Sequence, residues 1–585
     1  MIPRLRTRRR ADTVDDFPGV LVPLDEAHLH SHSYRARGSS SERPPADDAL
    51  DDDDCRGKDG DGEDTGMLEM STIPEYSIEG LRKEVRRGGR EKQWTAYELK
   101  SKLINKAIQD IGMGRYNWQL FVLCGFGWFA DNLWMQGISL TLPSLSAEFG
   151  VSEKSVRYTT SALFVGLCLG SFFWGIGSDI LGRRIAFNTT LLLTSVFGTA
   201  SAWASSWPGV CLMYAALGFG VGGNLPVDGA LFLEFLPDAS SSLLTLLSVW
   251  WPVGQLCSSL FAWYFIANWP ADEGWRYFVM TIGIITFAMF IVRFFLFHMF
   301  ESPKYLLSRG RQAEAVAVVH GIAFRNNTKT WLTEEILDAI VDDPAPRHRR
   351  RVAATNIIKE RLASFSAERI LPLFNNRTLG LTTSLLWFSW ATIGMGYPLF
   401  NAFLPQYLSH GGSHGGDGRP ESAGAVASEM TGETYRNYAI TSVAGVPGSL
   451  LAAYAVDMRS PLLGRRGTLA ISTLVSAIFL FLFVKLGKSP SSQLAFSCVE
   501  AFAQNIMYGV LYAFTPEIFP APVRGAGTGV ASFLNRATGL LAPIIAATVP
   551  GDGTTAPVYL SAALILAAFV AICLIPIETR GRQRL

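Results

Sequence analysis

Twelve runs of predominantly apolar residues, each about twenty residues long, lie at 117–142, 156–178, 185–205, 208–233, 242–267, 277–299, 378–404, 435–456, 467–487, 491–516, 527–549 and 557–577. Lipid offers no partner for backbone N–H and C=O groups, so a segment of this length crosses the bilayer as a helix, which pairs them within itself. Of the 585 residues 49% are hydrophobic, too many for a string of ordinary soluble domains. The predicted fold class is an all-α membrane protein with 12 transmembrane helices. A formal net charge of +1 implies no bulk attraction for nucleic acid.

The connection between the second and third runs reads Phe173-Trp-Gly-Ile-Gly-Ser-Asp-Ile-Leu-Gly-Arg-Arg184. It sets Asp179 at the end of one helix, a turn at Gly182, and the guanidiniums of Arg183 and Arg184 at the start of the next. Basic residues accumulate on cytoplasmic flanks, which predicts that this end faces the cytoplasm. A chemically similar stretch, Asp457, Arg459, Gly464, Arg465 and Arg466, lies between the eighth and ninth runs. Such a repeat predicts internal duplication into two pseudo-symmetric six-helix bundles. Arg524, Arg580, Arg582 and Arg584 fall at the same end, and an even number of crossings brings both termini there.

Residues 1–92 hold an Arg cluster, Arg4 to Arg10, then Ser/Pro-rich and acidic stretches. By composition this is a disordered cytoplasmic tail, with too little apolar surface to offset its chain entropy. Tyr97, Leu99, Leu103, Ile104, Ala107 and Ile111 recur at helical spacing and predict an amphipathic lead-in helix within 93–116. The two bundles are expected at 117–299 and 378–577, joined by a cytoplasmic central loop, 300–377, in which Pro303 opens an exposed helix. Residues 578–585 form a cytoplasmic C-terminus. The seven cysteines are scattered and suggest no disulfide framework. His410 and His414 sit in a Gly-rich linker, so no metal site and no cofactor are expected.

Charged and amide groups inside the runs carry the prediction of a solute path, because a charge held in hydrocarbon faces either a cavity or a partner. Asp131, Asn132 and Gln136 lie in the first run, Asp228 in the fourth, Gln255 in the fifth, Asn401 in the seventh and Arg536 in the eleventh. In the tenth run Glu500, Gln504, Tyr508 and Tyr512 recur every four residues and share one helix face. A carboxylate in a cavity that alternates between wet and dry can take up and release a proton, and Asp131 is the first choice for that role.

Several stretches together carry a resemblance. Phe173 to Arg184 is joined by Phe129-Ala-Asp-Asn132, Gly218-Phe-Gly-Val-Gly-Gly223, Glu234-Phe-Leu-Pro237, Glu301-Ser-Pro-Lys304, Tyr508 to Pro520 with Arg524 and Gly525, and Glu578-Thr-Arg-Gly-Arg582. In order and spacing they resemble the major facilitator superfamily, in its sugar-porter, synaptic-vesicle-protein-like and organic-ion branches. The resemblance implies a secondary transporter that moves a small organic solute by alternating access, as a proton symporter of an organic ion, carboxylate or sugar. It implies a cytoplasmic gate built from Asp179, Gly182, Arg183, Arg184 and Glu234 in the first half and Asp457, Arg465, Arg466, Glu517 and Arg524 in the second. Such charge pairs separate when the gate opens.

Tyr214 stands where relatives commonly carry Arg, and Asp-Ala-Ser-Ser follows Pro237 in place of Arg-Gly, which thins the charge of the first-half gate. No sugar-recognising Gln-Gln pattern appears from Leu386 to Gly394. There is no phosphate-binding loop and no nucleophile–base arrangement, so neither ATP drive nor an enzyme is expected. The expected partners are a small-molecule solute, a proton and the lipid bilayer, with no nucleic acid, for a monomer in the plasma membrane. A passive facilitator and a non-transporting nutrient sensor are the alternatives of the same fold.

Overall fold

Each predicted run is helical; the fifth is made of the turns Ser242–Leu246 and Leu247–Val249 and a longer helix. The structure is a computed structural model, and it describes residues 13–31, 76–86, 96–237, 242–297, 299–340, 370–374, 376–402, 404, 432–456, 458, 464–487, 489–519, 524–548 and 556–577. The helices are α1 (Arg115–Phe149), α2 (Tyr158–Leu181), α3 (Arg183–Ala200), α4 (Trp207–Phe235), α5 (Trp250–Phe265) and α6 (Ala271–Ile291) in the first half. The second half holds α7 (Arg377–Asn401), α8 (Gly432–Ala455), α9 (Arg465–Leu486), α10 (Pro490–Ile518), α11 (Arg524–Thr548) and α12 (Ala556–Leu574). Among the described residues, 10 helices are long and apolar enough to cross a membrane. The two others, α1 and α7, are long enough, but their polar, Gly and Trp residues dilute the apolar character.

From Asn117 onward these helices belong to one compact unit, Asn117–Tyr305 with Val352–Leu585. Successive helices reverse direction, so the starts of odd-numbered helices and the ends of even-numbered ones share one end, here called proximal. The Asn117 amide of α1 donates to the Phe235 carbonyl at the end of α4 there, at 2.7 Å. Within the first half α2 and α3 pack on α4, and α3 on α6; within the second, α8 and α9 pack on α10, and α9 on α12. The halves meet where α5 packs on α8 and α11 on α2. Advancing every helix by six exchanges these pairings, which is the predicted duplication.

Two local devices recur. Gly182 and Gly464 cap α3 and α9 with φ of 107° and 127°, a region costly for side-chain-bearing residues, and each is followed by an Arg-Arg pair. Close helix approach in the first half depends on Gly218 and Gly222 of α4. A Cβ at either would lie 2.4 Å from the carbonyl oxygen of Leu163 or Leu167 in α2. The outward faces keep large exposed apolar side chains, among them Leu169, Leu212, Leu450 and Leu574. That is the surface expected against acyl chains.

The second unit comprises Met1–Tyr116 and Leu306–Arg351. Here the structure departs from the expectation of a tail disordered over 1–92. Val20, Val22, Ala27, Tyr76, Leu81 and Val85 are buried, and Val22 N–H donates to the Thr330 carbonyl at 3.1 Å in a short parallel bridge. The buried carboxylate of Asp110 fastens this unit, accepting from Ser31 Oγ at 2.8 Å, Tyr76 Oη at 3.1 Å and Trp331 Nε1 at 2.9 Å. A few apolar anchors and one saturated carboxylate suffice to order these short segments, which average composition over the whole tail conceals. The predicted lead-in helix is present as Ala96–Ile111.

Candidate functional site

A cavity of about 100 Å³ lies between the two halves of the helical unit. Its polar lining comes from Asp131 and Asn132 of α1, Gln255 of α5, Tyr397 of α7, Gln504, Asn505, Tyr508 and Tyr512 of α10, and Asn535 and Arg536 of α11. Seven predicted path residues are therefore brought together: Asp131, Asn132, Gln255, Gln504, Tyr508, Tyr512 and Arg536. Gln136 and Asn401 line a smaller adjoining cavity of about 20 Å³, one turn further toward the distal end.

Short hydrogen bonds hold the polar lining in place. Asn224 Nδ2 of α4 donates to Asp131 Oδ1 at 2.9 Å. Gln255 Nε2 donates to Asn132 Oδ1 at 3.0 Å and to the Tyr397 hydroxyl at 3.3 Å, so this amide bridges the halves. Asn401 Nδ2 donates to Gln504 Oε1 at 3.0 Å. Arg536 makes no ion pair among the described residues.

Aromatic rings close the proximal side of the cavity. Trp128 stacks on Trp251 with centroids 4.6 Å apart, and Trp251 meets Tyr512 at 5.3 Å and Tyr508 at 6.1 Å across the halves. Toward the distal end the buried Arg157, at the start of α2, donates to the Ala546 carbonyl in the last turn of α11 at 2.8 Å. Last-turn carbonyls lack intrahelical partners and carry the negative end of the helix dipole, so a guanidinium suits them.

Two predicted path residues lie elsewhere. Asp228 of α4 is fully buried against Arg293, with Oδ2 at 2.7 Å from Nη2. Arg293 sits in the π-helical turn Val292–Leu296 that follows α6, and it also donates to the Leu123 and Phe187 carbonyls, both at 2.9 Å. This guanidinium pairs with Asp228 Oδ2 inside the first bundle, away from the cavity lining. Glu500 shares a helix face with Gln504, but it accepts from Ser476 Oγ of α9 at 3.3 Å and lines neither cavity. Sequence reasoning missed Asn224, Tyr397, Asn505, Asn535 and the stacked tryptophans. Asn224, within the Gly-rich stretch of α4, and Asn535, beside Arg536, were legible as polar groups in apolar runs.

At the proximal end the predicted gate residues pair within each half. Arg183 Nη2 of α3 lies 3.2 Å from Glu234 Oε1 of α4, and Arg465 of α9 pairs with Glu517 of α10. Arg466 Nη2 donates to the Cys573 carbonyl at 2.6 Å. The backbone N–H groups of Arg183 and Arg184 donate to Glu301 Oε1 at 2.9 and 3.3 Å, so a carboxylate seats on the start of α3 just after the glycine turn. Burial pushes the Glu301 carboxyl above its ordinary range, against the opposing pull of the N–H groups of Ser302, Arg184 and Arg183. Asp457 and the side chains of Asp179 and Arg524 lie outside the described residues. Among the described residues no His/Cys/Asp/Glu cluster could hold a metal ion, and His410 and His414 lie outside them.

Residues 120–432 match the family model described as Major Facilitator Superfamily. The chain is 42% identical to "MFS siderochrome iron transporter 1" of Ceriporiopsis subvermispora, over 84% of this chain and 92% of that protein. It is 28% identical to the "Synaptic vesicle 2-related protein" of Pongo abelii, over 82% of each. Its fold matches the partially occluded inward-open xylose transporter XylE from E. coli with a TM-score of 0.59, at 17% identity, covering 80% of this chain and 99% of that one.

Proposed function

Since this chain belongs to the major facilitator superfamily and is a multi-pass membrane transporter, we propose that its central cavity is the solute site and that transport is coupled to a proton carried by Asp131. The observation that carries this reading is the position of Asp131. It is a buried carboxylate on the wall of a polar cavity between two halves, held by one side-chain donor, Asn224. Halves that pivot about such a cavity expose it to one side and then the other, and a carboxylate exposed in turn to two pH values can carry protons between them. Among the described residues of α1 to α12, Asp228 and Glu500 are the other buried acids, and both are engaged by partners away from the cavity lining.

In this reading the proximal end faces the cytoplasm, as the arginines at Arg183, Arg184, Arg465 and Arg466 favour. The protein acts as a monomer in the plasma membrane. The relative named for a siderochrome does not transfer that solute to this chain.

The test takes purified protein through a thermal-shift screen of sugars, carboxylates and amines, since a bound ligand stabilises the fold. The stabilising solute then goes into proteoliposomes with and without a pH gradient. Wild type accumulates it only with the gradient, whereas Asp131→Asn retains solute exchange and loses accumulation. Gradient-driven accumulation unchanged in Asp131→Asn removes Asp131 from the role. Equilibration that ignores the gradient in wild type makes the protein a passive facilitator.

A further inference from the structure

We infer that the solute is a small single-ring carboxylate, held by Arg536 and bound together with a proton on Asp131. This rests on the cavity being the solute site.

Two opposite charges from different halves face one small cavity, Asp131 from α1 and Arg536 from α11. They are not equivalent. A guanidinium stays charged in any protein environment, whereas a carboxylate can be neutralised by a proton. Arg536 makes no ion pair among the described residues, so its charge is permanent and available. A monovalent cation would face a repulsion that nothing in the lining can switch off. A neutral sugar would leave Arg536 with only the Asp131 carboxylate as a counter-charge in the lining, and so gives no reason for a proton to bind with it. A carboxylate pairs with the Arg536 fork, and its repulsion with Asp131 disappears once that group is protonated.

The groups facing Asp131 fit this linkage. Asn224 donates from α4, and Tyr512 of α10 and Arg536 of α11 lie within electrostatic reach. Asp228 and Arg293, also within reach, neutralise each other in the first bundle. Anion binding and protonation of Asp131 therefore favour one another reciprocally, which makes the cotransported species electroneutral.

Size and wall chemistry select the rest of the solute. A cavity of about 100 Å³ is of the same order as the about 150 Å³ that binds a benzene ring, which limits the solute to about one ring. Trp251, Tyr397 and Tyr508 offer ring faces and edges on the wall, and Met135, Phe164 and Val221 supply apolar contact.

The test is titration calorimetry of the purified full chain with benzoate, benzamide, benzyltrimethylammonium and glucose, in two buffers of different ionisation enthalpy. Benzoate binds at least about tenfold more tightly than the other three, as expected for a charge-assisted pair. About one proton is taken up per benzoate at neutral pH, and none in Asp131→Asn. Arg536→Lys weakens benzoate about tenfold by losing the fork, and Arg536→Gln abolishes binding. Folding of each variant is checked by its melting profile; should Arg536→Gln not fold, Arg536→Lys and the proton count decide. Preference for the cation or for glucose, benzoate affinity indifferent to Arg536, or no proton uptake overturns the inference. Benzoate binding with its proton but without accumulation in proteoliposomes would remove the transport reading and leave the site's chemistry standing. Asp131-dependent accumulation of another solute, without benzoate binding, would do the reverse.

Discussion

Asn224 of α4 donates its side-chain amide to Asp131 of α1 at 2.9 Å, joining two helices of the first half at the wall of the cavity. A buried hydrogen bond to a charged group contributes about 1.5–3 kcal/mol, so the orientation of Asp131 depends on it. Asn224→Ala is expected to lower solute uptake about tenfold, and Asn224→Ser, which keeps a donor, by less. Uptake rates at one fixed pH decide this; equal losses in both variants would make the role of Asn224 steric.

The two described ion pairs among the expected gate residues each stay within a half, Arg183 with Glu234 and Arg465 with Glu517. Reversing one charge, as in Glu234→Arg, sets like charges together and is expected to impair uptake. Adding Arg183→Glu to it recovers most of the loss, because the pair is restored with opposite polarity. Rescue of Glu234→Arg by a reversal in the other half, Arg465→Glu, would instead place the partner across the halves.

Asp228 and Arg293 form an ion pair in which both side chains are fully buried. Removing one partner strands the other, so Asp228→Ala or Arg293→Ala is expected to cost about 3–5 kcal/mol. The double replacement Asp228→Leu with Arg293→Met is expected to cost much less than the sum. Gly127→Ala is also destabilising, since its Cβ would sit 1.8 Å from Asp228 Oδ2. Thermal unfolding in detergent reads all four; additive losses in the double variant would argue against coupling.

Burial raises the Glu301 carboxyl above its ordinary value although it seats on the backbone N–H groups of α3. A carboxyl raised on folding contributes stability that is full below its unfolded value, about 4.3, and is lost as pH rises through the folded value. The melting temperature of wild type relative to Glu301→Gln is therefore expected to fall as pH rises from about 4 to 7. A relative melting temperature that rises over that range would mean the N–H groups outweigh burial.

The rods of this fold were readable one at a time. Each apolar run from 117–142 to 557–577 has its helix, because a span pairs its own backbone groups and needs no distant partner. The turn at Gly182 and its repeat at Gly464 were equally local, and so was the four-residue recurrence of Gln504, Tyr508 and Tyr512. The order of segments 13–31 and 76–86 is not local in this way, since it depends on Thr330, Trp331 and Asp110, far along the chain.

The amino-acid sequence by itself determined that polar groups such as Asp131, Asp228 and Glu500 would sit inside greasy helices and therefore need something to face. Only the tertiary structure decided what each one faces. Asp228 found Arg293, 65 residues away, and Glu500 found Ser476, while Asp131 and Arg536 were turned toward shared open space. The physical reason is that desolvation fixes the need for a partner residue by residue. Whether the partner is protein or cavity follows from how each helix is rotated, and close contacts set that, such as those of Gly218 and Gly222 against α2.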